Sequence, residues 1–428
     1  MELQKEITKL QNYDTLTNTL NLSGFFLIVS ERLKEIKTPA LLALIDIRDF
    51  TSINKTFGLN VGDFLLKEVA DRLNLVFPDG IVARVASDEF AIYKELNSKD
   101  KVETELVKFM DKIKSVFEQP IYFGDNILTL TFNAGITVVS SESKNLESIY
   151  ENISIALAYA KKGVENIIEV FSKDLEEKVK RTSFAKRLIE KAINENLFTL
   201  FYQPFFNCKT LKLEGFEALV RIKDKDGTIY TPNVFIDVLE NSKFLVEYEK
   251  WLLNEIMDKS KKWNIPISFN ASSNSFKNQE YINYLSSLDN KISLIMEITE
   301  RVLMKEPEKT IDILNKIKKT TALKIAVDDF GTEYSSLKYI KDFSIDEIKI
   351  DISFTREIVE NKKTQALVKT IITLAKDLGM ETLAEGVEKQ EQLEILRDLG
   401  CDYVQGFLLG KPLPEEEAEK LLSRNLLS

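Results

Sequence analysis

Five carboxylates and one lysine stand at or near the ends of short apolar runs in this sequence. They are Glu217 in GFEALVRI, Glu297 in LIMEIT, Asp328 and Asp329 in KIAVDDF, Lys349 in EIKID and Glu385 in ETLAEG. Gln203 in TLFYQPF, Asn270 in ISFNAS and Gln405 in YVQGF add neutral polar groups at matching places. Glu217 shares one strand face with Arg221, and Lys349 shares one with Asp351, because side chains two or four apart point the same way. Asp328 and Asp329 would point oppositely in a regular strand. They can serve one site only where the strand breaks into a loop, and Gly331 supplies that flexibility.

The residue types restrict the chemistry. The 428-residue chain has no histidine and two cysteines. Histidine bases, Ser-His-Asp and Cys-His nucleophiles and His-zinc sites are therefore excluded. Cys208 and Cys401 form neither a ligand spacing nor a disulfide framework, which fits a reducing compartment. A metal site must be built from oxygen, and oxygen selects Mg²⁺, Mn²⁺ or Ca²⁺. Two carboxylates ~4 Å apart repel by about 4 kcal/mol at an effective dielectric near 20. Five on one rim need cations or protons, and two divalent ions would balance most of the charge. An ion pair about 3.5–4 Å apart suits in-line phosphoryl displacement, with Asp328 or Asp329 bridging. An acidic pair at a strand end is by itself commonly a helix cap or a solvated turn. The recurrence of polar rim residues over successive strands is what favours a shared site.

The elements that would carry these residues fall into two patterns. Residues 1–11 read as a short charged helix. Residues 12–171 mix strands (40–47, 81–87, 89–95, and a long one at 127–139) with helices (62–73, 146–162), an α+β domain with a central antiparallel sheet. Residues 172–196 read as a charged amphipathic linker helix. From 197 to 428, eight apolar runs alternate with helical sequence: 199–205, 215–222, 267–272, 294–299, 324–330, 347–351, 381–386 and 403–407. The economical reading is a (β/α)₈ barrel whose strand ends carry the site.

At about 197–425 the motifs YQP, EALVR, FNAS, EITE, DDFGTEYSSL, IKID, AEGVE and GCDYVQGF resemble, in order and spacing, the EAL-domain phosphodiesterases. The resemblance implies a TIM-like barrel with an antiparallel first strand, and metal-dependent hydrolysis of cyclic di-GMP to linear pGpG. It implies a metal shell of Glu217, Asn270, Glu297, Asp328, Asp329 and Glu385 holding two Mg²⁺ or Mn²⁺ ions. Catalysis would rest on Glu217, Asp328, Glu385 and on Lys349, which positions and activates the attacking water. Gln203, Arg221, Asp351, Gln405 and Glu388 would bind substrate, Arg221 at a phosphate. Glu300 would support the loop after Asp329, and a homodimer would form through this domain. Glu333 stands where the family usually has Gly.

Residues 12–170 resemble a GGDEF, or diguanylate cyclase, domain. Asp46, Asn54 and Asp63 match a metal ligand and two guanine-reading positions. Asp88 and Lys161 complete the candidate GTP pocket. The signature itself is ASDEF, with Ala86 and Ser87 in place of both glycines. Arg48 replaces a common acid, and Glu165 replaces a phosphate-binding Arg. A regulatory domain without cyclase activity is the expectation, with GTP as a candidate effector.

Formal net charge is −10, which disfavours nucleic-acid and anionic-membrane partners. The longest apolar runs, such as Leu41–Ile47, fall far short of a membrane span and no signal peptide is visible, so a cytoplasmic location is expected. The rival reading is a receptor that binds cyclic di-GMP without cleaving it. Such receptors typically lose metal ligands, and this chain keeps the set.

Overall fold

The structure, a computed structural model, describes residues 10–96, 102–140, 145–289, 292–331 and 342–425. The N-terminal helix expected at 1–11 and the position of Glu333 lie largely or wholly outside them. The chain divides into two compact units, 1–181 and 182–428. The division falls within one continuous helix, Lys173–Glu195.

The first unit holds a five-stranded sheet of β1 (Ala40–Ile47), β2 (Ile81–Arg84), β3 (Glu89–Glu95), β6 (Phe132–Val139) and β7 (Ile167–Val170), in the order β2-β3-β1-β6-β7. Every pairing is antiparallel except β6–β7. Both faces of β1 are buried. Leu41, Ala43, Ile45 and Ile47 enter one core cluster, and Ala40, Leu42 and Leu44 enter the other. That is why its sequence reads as an unbroken apolar run. The long strand expected over 127–139 is two. Asn126–Leu128 (β5) pairs with Ile121–Phe123 (β4) in a separate hairpin. The backbone then turns, Arg48 N–H donates to the Thr131 carbonyl, and β6 joins β1 only from Phe132. Leu130, buried in the break, supplied the misleading apolar continuity.

In the second unit, β8 (Phe198–Asn207), β9 (Leu213–Lys223), β11 (Ile267–Asn270), β12 (Leu294–Thr299), β13 (Lys324–Phe330), β14 (Glu347–Ile350), β15 (Glu381–Ala384) and β16 (Tyr403–Gln405) close into a barrel. Two short strands, β10 (Ile229–Tyr230) and β17 (Leu413–Pro414), extend its edges. The barrel strands β9, β11, β12, β13, β14, β15 and β16 run parallel. β8 is antiparallel to both neighbours. Its start therefore lies at the C-terminal rim, with Thr199 opposite Arg221 and Phe198 opposite Ile222. The helix leading into it buries Ala185, Leu188, Ile189 and Ala192, a stripe of helical period. Its end is tied to the segment following β9 by Lys191–Asp224 (2.6 Å) and Lys225–Glu195 (2.9 Å).

The barrel interior is layered, as stacked inward side chains require. Phe205, Ile295, Ala326 and Leu383 form an apolar floor with Tyr403 against it. Beneath it, Lys324 and the Tyr403 hydroxyl both bond Glu381, at 2.7 and 2.8 Å. Above it lies the polar layer that builds the site.

Candidate functional site

Lys349 is the centre of that layer. It projects inward from β14, is 1% exposed, and places Nζ 2.7 Å from Glu385 Oε1, 2.8 Å from Glu297 Oε2, 3.4 Å from Asp328 Oδ1 and 3.9 Å from Glu217 Oε2. Burial alone would depress its pKa. The surrounding carboxylates outweigh burial and raise it well above that of an ordinary lysine. Glu217 accepts from Asn270 Nδ2 at 3.1 Å and from Gln405 Nε2 at 2.7 Å. Burial pushes Glu297 well above the usual carboxylate range despite Lys349, and pushes Glu385 up to about 7.

Asp328 and Asp329 reach one place because the strand is irregular there. The pairing of β13 with β14 shifts between Val327 and Phe330, and Asp329 itself is left-handed, with φ 54°. The sequence suggested Gly331 as the point of freedom. Gly331 does have φ 93°, but the turn that redirects the second acid is at Asp329. Its amide donates to Asp328 Oδ1 at 3.0 Å. Glu300, 2% exposed, accepts from Gly331 N–H at 3.1 Å and holds the chain where it leaves the strand. Burial, then Asp328 and Asp351, raise the Asp329 pKa.

Oxygens of Asp328, Asp329 and Glu385 lie within 4.8 Å of one another. Gln405 Oε1 is buried with no hydrogen-bond partner among the described residues. One ammonium contacts four carboxylates, with Asp329 beside them, and every candidate ligand atom is oxygen. The donor set therefore fits hard divalent cations.

A cavity of about 350 Å³ opens on this layer. Gln203, Glu217, Asp328, Glu385, Glu388 and Gln405 line it, as the sequence suggested. Leu219, Ile352, Arg356, Gly386, Gly406 and Phe407 line it too. Phe407 ends the motif GCDYVQGF without being singled out by its type, and Arg356 lies five residues beyond IKID. Arg221 is not on its wall: Nη1 donates to the Val220 carbonyl at 2.7 Å and the guanidinium lies over the Phe201 ring. Asp351 caps the helix Ile352–Glu357 through Ser353 N–H at 2.9 Å.

A second cavity, about 330 Å³, shares Leu219 with the first and includes Asn270 and Thr299. Glu249 lines it. This residue is 3% exposed, accepts from Ser275 Oγ, and keeps Oε2 without a hydrogen-bond partner among the described residues. Burial pushes its carboxyl up to about 8. Sequence reasoning passed over Glu249 because a charge within the helix Leu245–Trp263 reads as a solvated face.

In the first unit, Lys161 Nζ sits 2.5 Å from Asp46 Oδ2 and 3.1 Å from Glu89 Oε1. Asp88 instead accepts from Ser87 Oγ at 2.6 Å. Asn54 Oδ1 is buried where a Cβ on Gly62 would fall, without a hydrogen-bond partner among the described residues, and Asp63 is exposed. Arg84 holds the Ser87 carbonyl through Nε (3.1 Å) and Nη2 (2.6 Å), fixing the turn that carries Ala86 and Ser87.

Comparison with known proteins gives a consistent picture. Residues 186–412 match the EAL domain, and residues 11–166 match the diguanylate cyclase, GGDEF domain. The signaling protein YkoW of Bacillus subtilis is 30% identical over 98% of this chain. The cyclic di-GMP phosphodiesterase NbdA of Pseudomonas aeruginosa is 26% identical over 97%. The chain spans 54% of each of those two proteins. A solved structure of the PaMucR phosphodiesterase in complex with c-di-GMP aligns with 55% of this chain and 99% of its own, at 31% identity and a TM-score of 0.51. No helix among the described residues is long and apolar enough to cross a membrane.

Proposed function

This chain belongs to the EAL domain family and carries a GGDEF domain ahead of the EAL domain, and from that premise we propose that it hydrolyses cyclic di-GMP to linear pGpG. The observation that carries the reading is the ring of carboxylates around Lys349, with Asp328, Asp329 and Glu385 converging on the strand irregularity. A receptor would need only a cavity. A full set of acids packed against one ammonium is costly to maintain and is what phosphoryl chemistry uses.

Glu217, Asn270, Glu297, Asp328, Asp329 and Glu385 would hold two Mg²⁺ or Mn²⁺ ions. Bound there, the ions would neutralise the carboxylates and supply Lewis acidity at the scissile phosphodiester. Lys349 would orient the attacking water from within the acid ring. Gln203 and Gln405 would line the substrate path. Two cavities with Leu219 as a common wall residue fit a ligand with two bases. Guanine offers N1–H and N2–H₂ donors, which match the Glu388 carboxylate in the first cavity. Homodimerisation through the EAL domain and a GTP-responsive but cyclase-inactive first unit belong to the same reading.

The deciding experiment incubates the protein with cyclic di-GMP and Mn²⁺ or Mg²⁺ and chromatographs the products. The expected outcome is pGpG, abolished by EDTA and restored by excess Mn²⁺. Unchanged activity in excess EDTA would sink the metal mechanism. Binding without product would leave the receptor reading in its place.

A further inference from the structure

We propose that Arg356 reads the N7/O6 edge of one guanine and, with Glu388, makes the site select guanine over adenine; the proposal rests on the cyclic di-GMP reading of the site. Ile352 and Arg356 are four residues apart on the helix Ile352–Glu357, share one face, and line the main cavity. Thr355 and Ile358 are fully buried, which fixes the helix's rotation.

Two contacts set this helix against the turn that carries Glu388. Gly386 has φ 68°, and a Cβ there would meet Ile352 Cγ1 at 2.1 Å, so the turn lies directly on the helix. Gln392, 3% exposed, bridges the two. Its Nε2 donates to the Thr355 carbonyl at 2.9 Å, and its Oε1 accepts from the amides of Glu388 and Lys389, both at 2.8 Å. The backbone segments that bear Arg356 and Glu388 are thus held together on one wall, beside Phe407, which is 57% exposed.

Arg356 is the only cationic side chain lining that cavity among the described residues, and it makes no ion pair there with Glu217, Asp328, Glu385 or Glu388. Among the described residues no side chain or carbonyl engages its guanidinium, so a ligand in the cavity can. Guanine presents acceptors at O6 and N7, the pair that arginine meets with two parallel hydrogen bonds. Its N1–H and N2–H₂ donors match Glu388. Adenine reverses the pattern: N6–H₂ would meet the guanidinium and the N1 lone pair would meet the carboxylate. Phe407 offers either base a stacking face and carries no discrimination.

The test measures binding in Ca²⁺, without turnover, for cyclic di-GMP and its 7-deaza-guanine analogue. The proteins are the parent chain, Arg356→Ala and Arg356→Lys. The parent should bind cyclic di-GMP and lose about tenfold to the analogue. Arg356→Ala should lose roughly 10–100-fold for cyclic di-GMP and bind the two ligands equally, while Arg356→Lys falls between. In turnover assays the loss should appear in KM, with kcat little changed. An Ala variant that still discriminates N7 overturns the proposal, whether because the arginine holds a phosphate or holds nothing. A parent chain that binds no cyclic di-GMP overturns the underlying reading, and that result is visible before any variant is made.

Discussion

Lys349 shows how a single residue does two jobs. Among the described residues it is the one cation in contact with four carboxylates: it offsets part of their charge, and in the proposed reaction it would also position water. Lys349→Ala should lower kcat by 10²–10⁴-fold, the range of a lost acid–base or orienting group, while Kd for cyclic di-GMP in Ca²⁺ changes far less. An equal loss in binding would make it a substrate clamp instead. The same variant leaves buried charge uncompensated, at a cost of about 3–5 kcal/mol. Melting with and without Mg²⁺ should show the cation recovering part of that loss. Glu249 makes the opposite case. Its carboxyl, raised to about 8 by burial, holds a proton in the fold that the unfolded chain has released above about 4.3. Stability therefore falls as pH rises from about 4.5 to 8, by at most about 1.4 kcal/mol per unit. Glu249→Gln should flatten that slope in melts between pH 5.5 and 9. Parallel slopes in the two proteins would show that Glu249 is ionised throughout.

Among the elements, the irregularity in β13 carries the site. An alternating strand would send Asp329 away from Asp328. The left-handed turn at Asp329, secured by Glu300 on the Gly331 amide, turns the second acid inward. Gly331→Ala combines a φ of 93° with a contact to Phe354 at 3.1 Å. It should destabilise by about 1–2 kcal/mol and reduce activity by more than that loss of stability explains. Wild-type kcat at full occupancy of metal would show that the turn tolerates the change. The eight barrel strands were legible because buried parallel strands read as apolar runs with polar ends. The left-handed aspartate was not, because side-chain alternation carries no sign of φ. Arg356 escaped notice for a related reason: its place depends on how Gln392 and Gly386 seat one helix, which no local spacing encodes. Leu130 misled in the other direction, its apolar side chain bridging a real break between β5 and β6.

At the scale of the whole chain, the two units differ in what their acids do. In the second, four carboxylates crowd one ammonium and a fifth, Asp329, lies beside them, so divalent cations should raise its melting temperature. Saturation at 100 times Kd corresponds to about 2.7 kcal/mol, and calorimetry with Mn²⁺ would read it. In the first, Lys161 already occupies the space between Asp46 and Glu89. Ala86 and Ser87 add side chains at the turn held by Arg84. Incubation with GTP and Mg²⁺ should yield no cyclic di-GMP, and its appearance would overturn the assignment of a non-cyclising domain. Two units, the barrel and the acid ring were all visible in composition and recurrence. Where one unit ends was less so, because the helix Lys173–Glu195 runs unbroken through the division.

The reversed direction of β8 has a mechanical consequence. In an all-parallel barrel the polypeptide arrives underneath, and a pull on the incoming chain must travel the height of the barrel to reach the chemistry. Here it arrives at the mouth, where Thr199 lies opposite Arg221. The last turn of the incoming helix is bolted by Lys191 and Glu195 to the segment leaving β9, the strand that bears Glu217 and the Leu219 shared by both cavities. A torque on that helix would be delivered at the rim of the two cavities, above the apolar floor of Phe205, Ile295, Ala326 and Leu383 rather than through it.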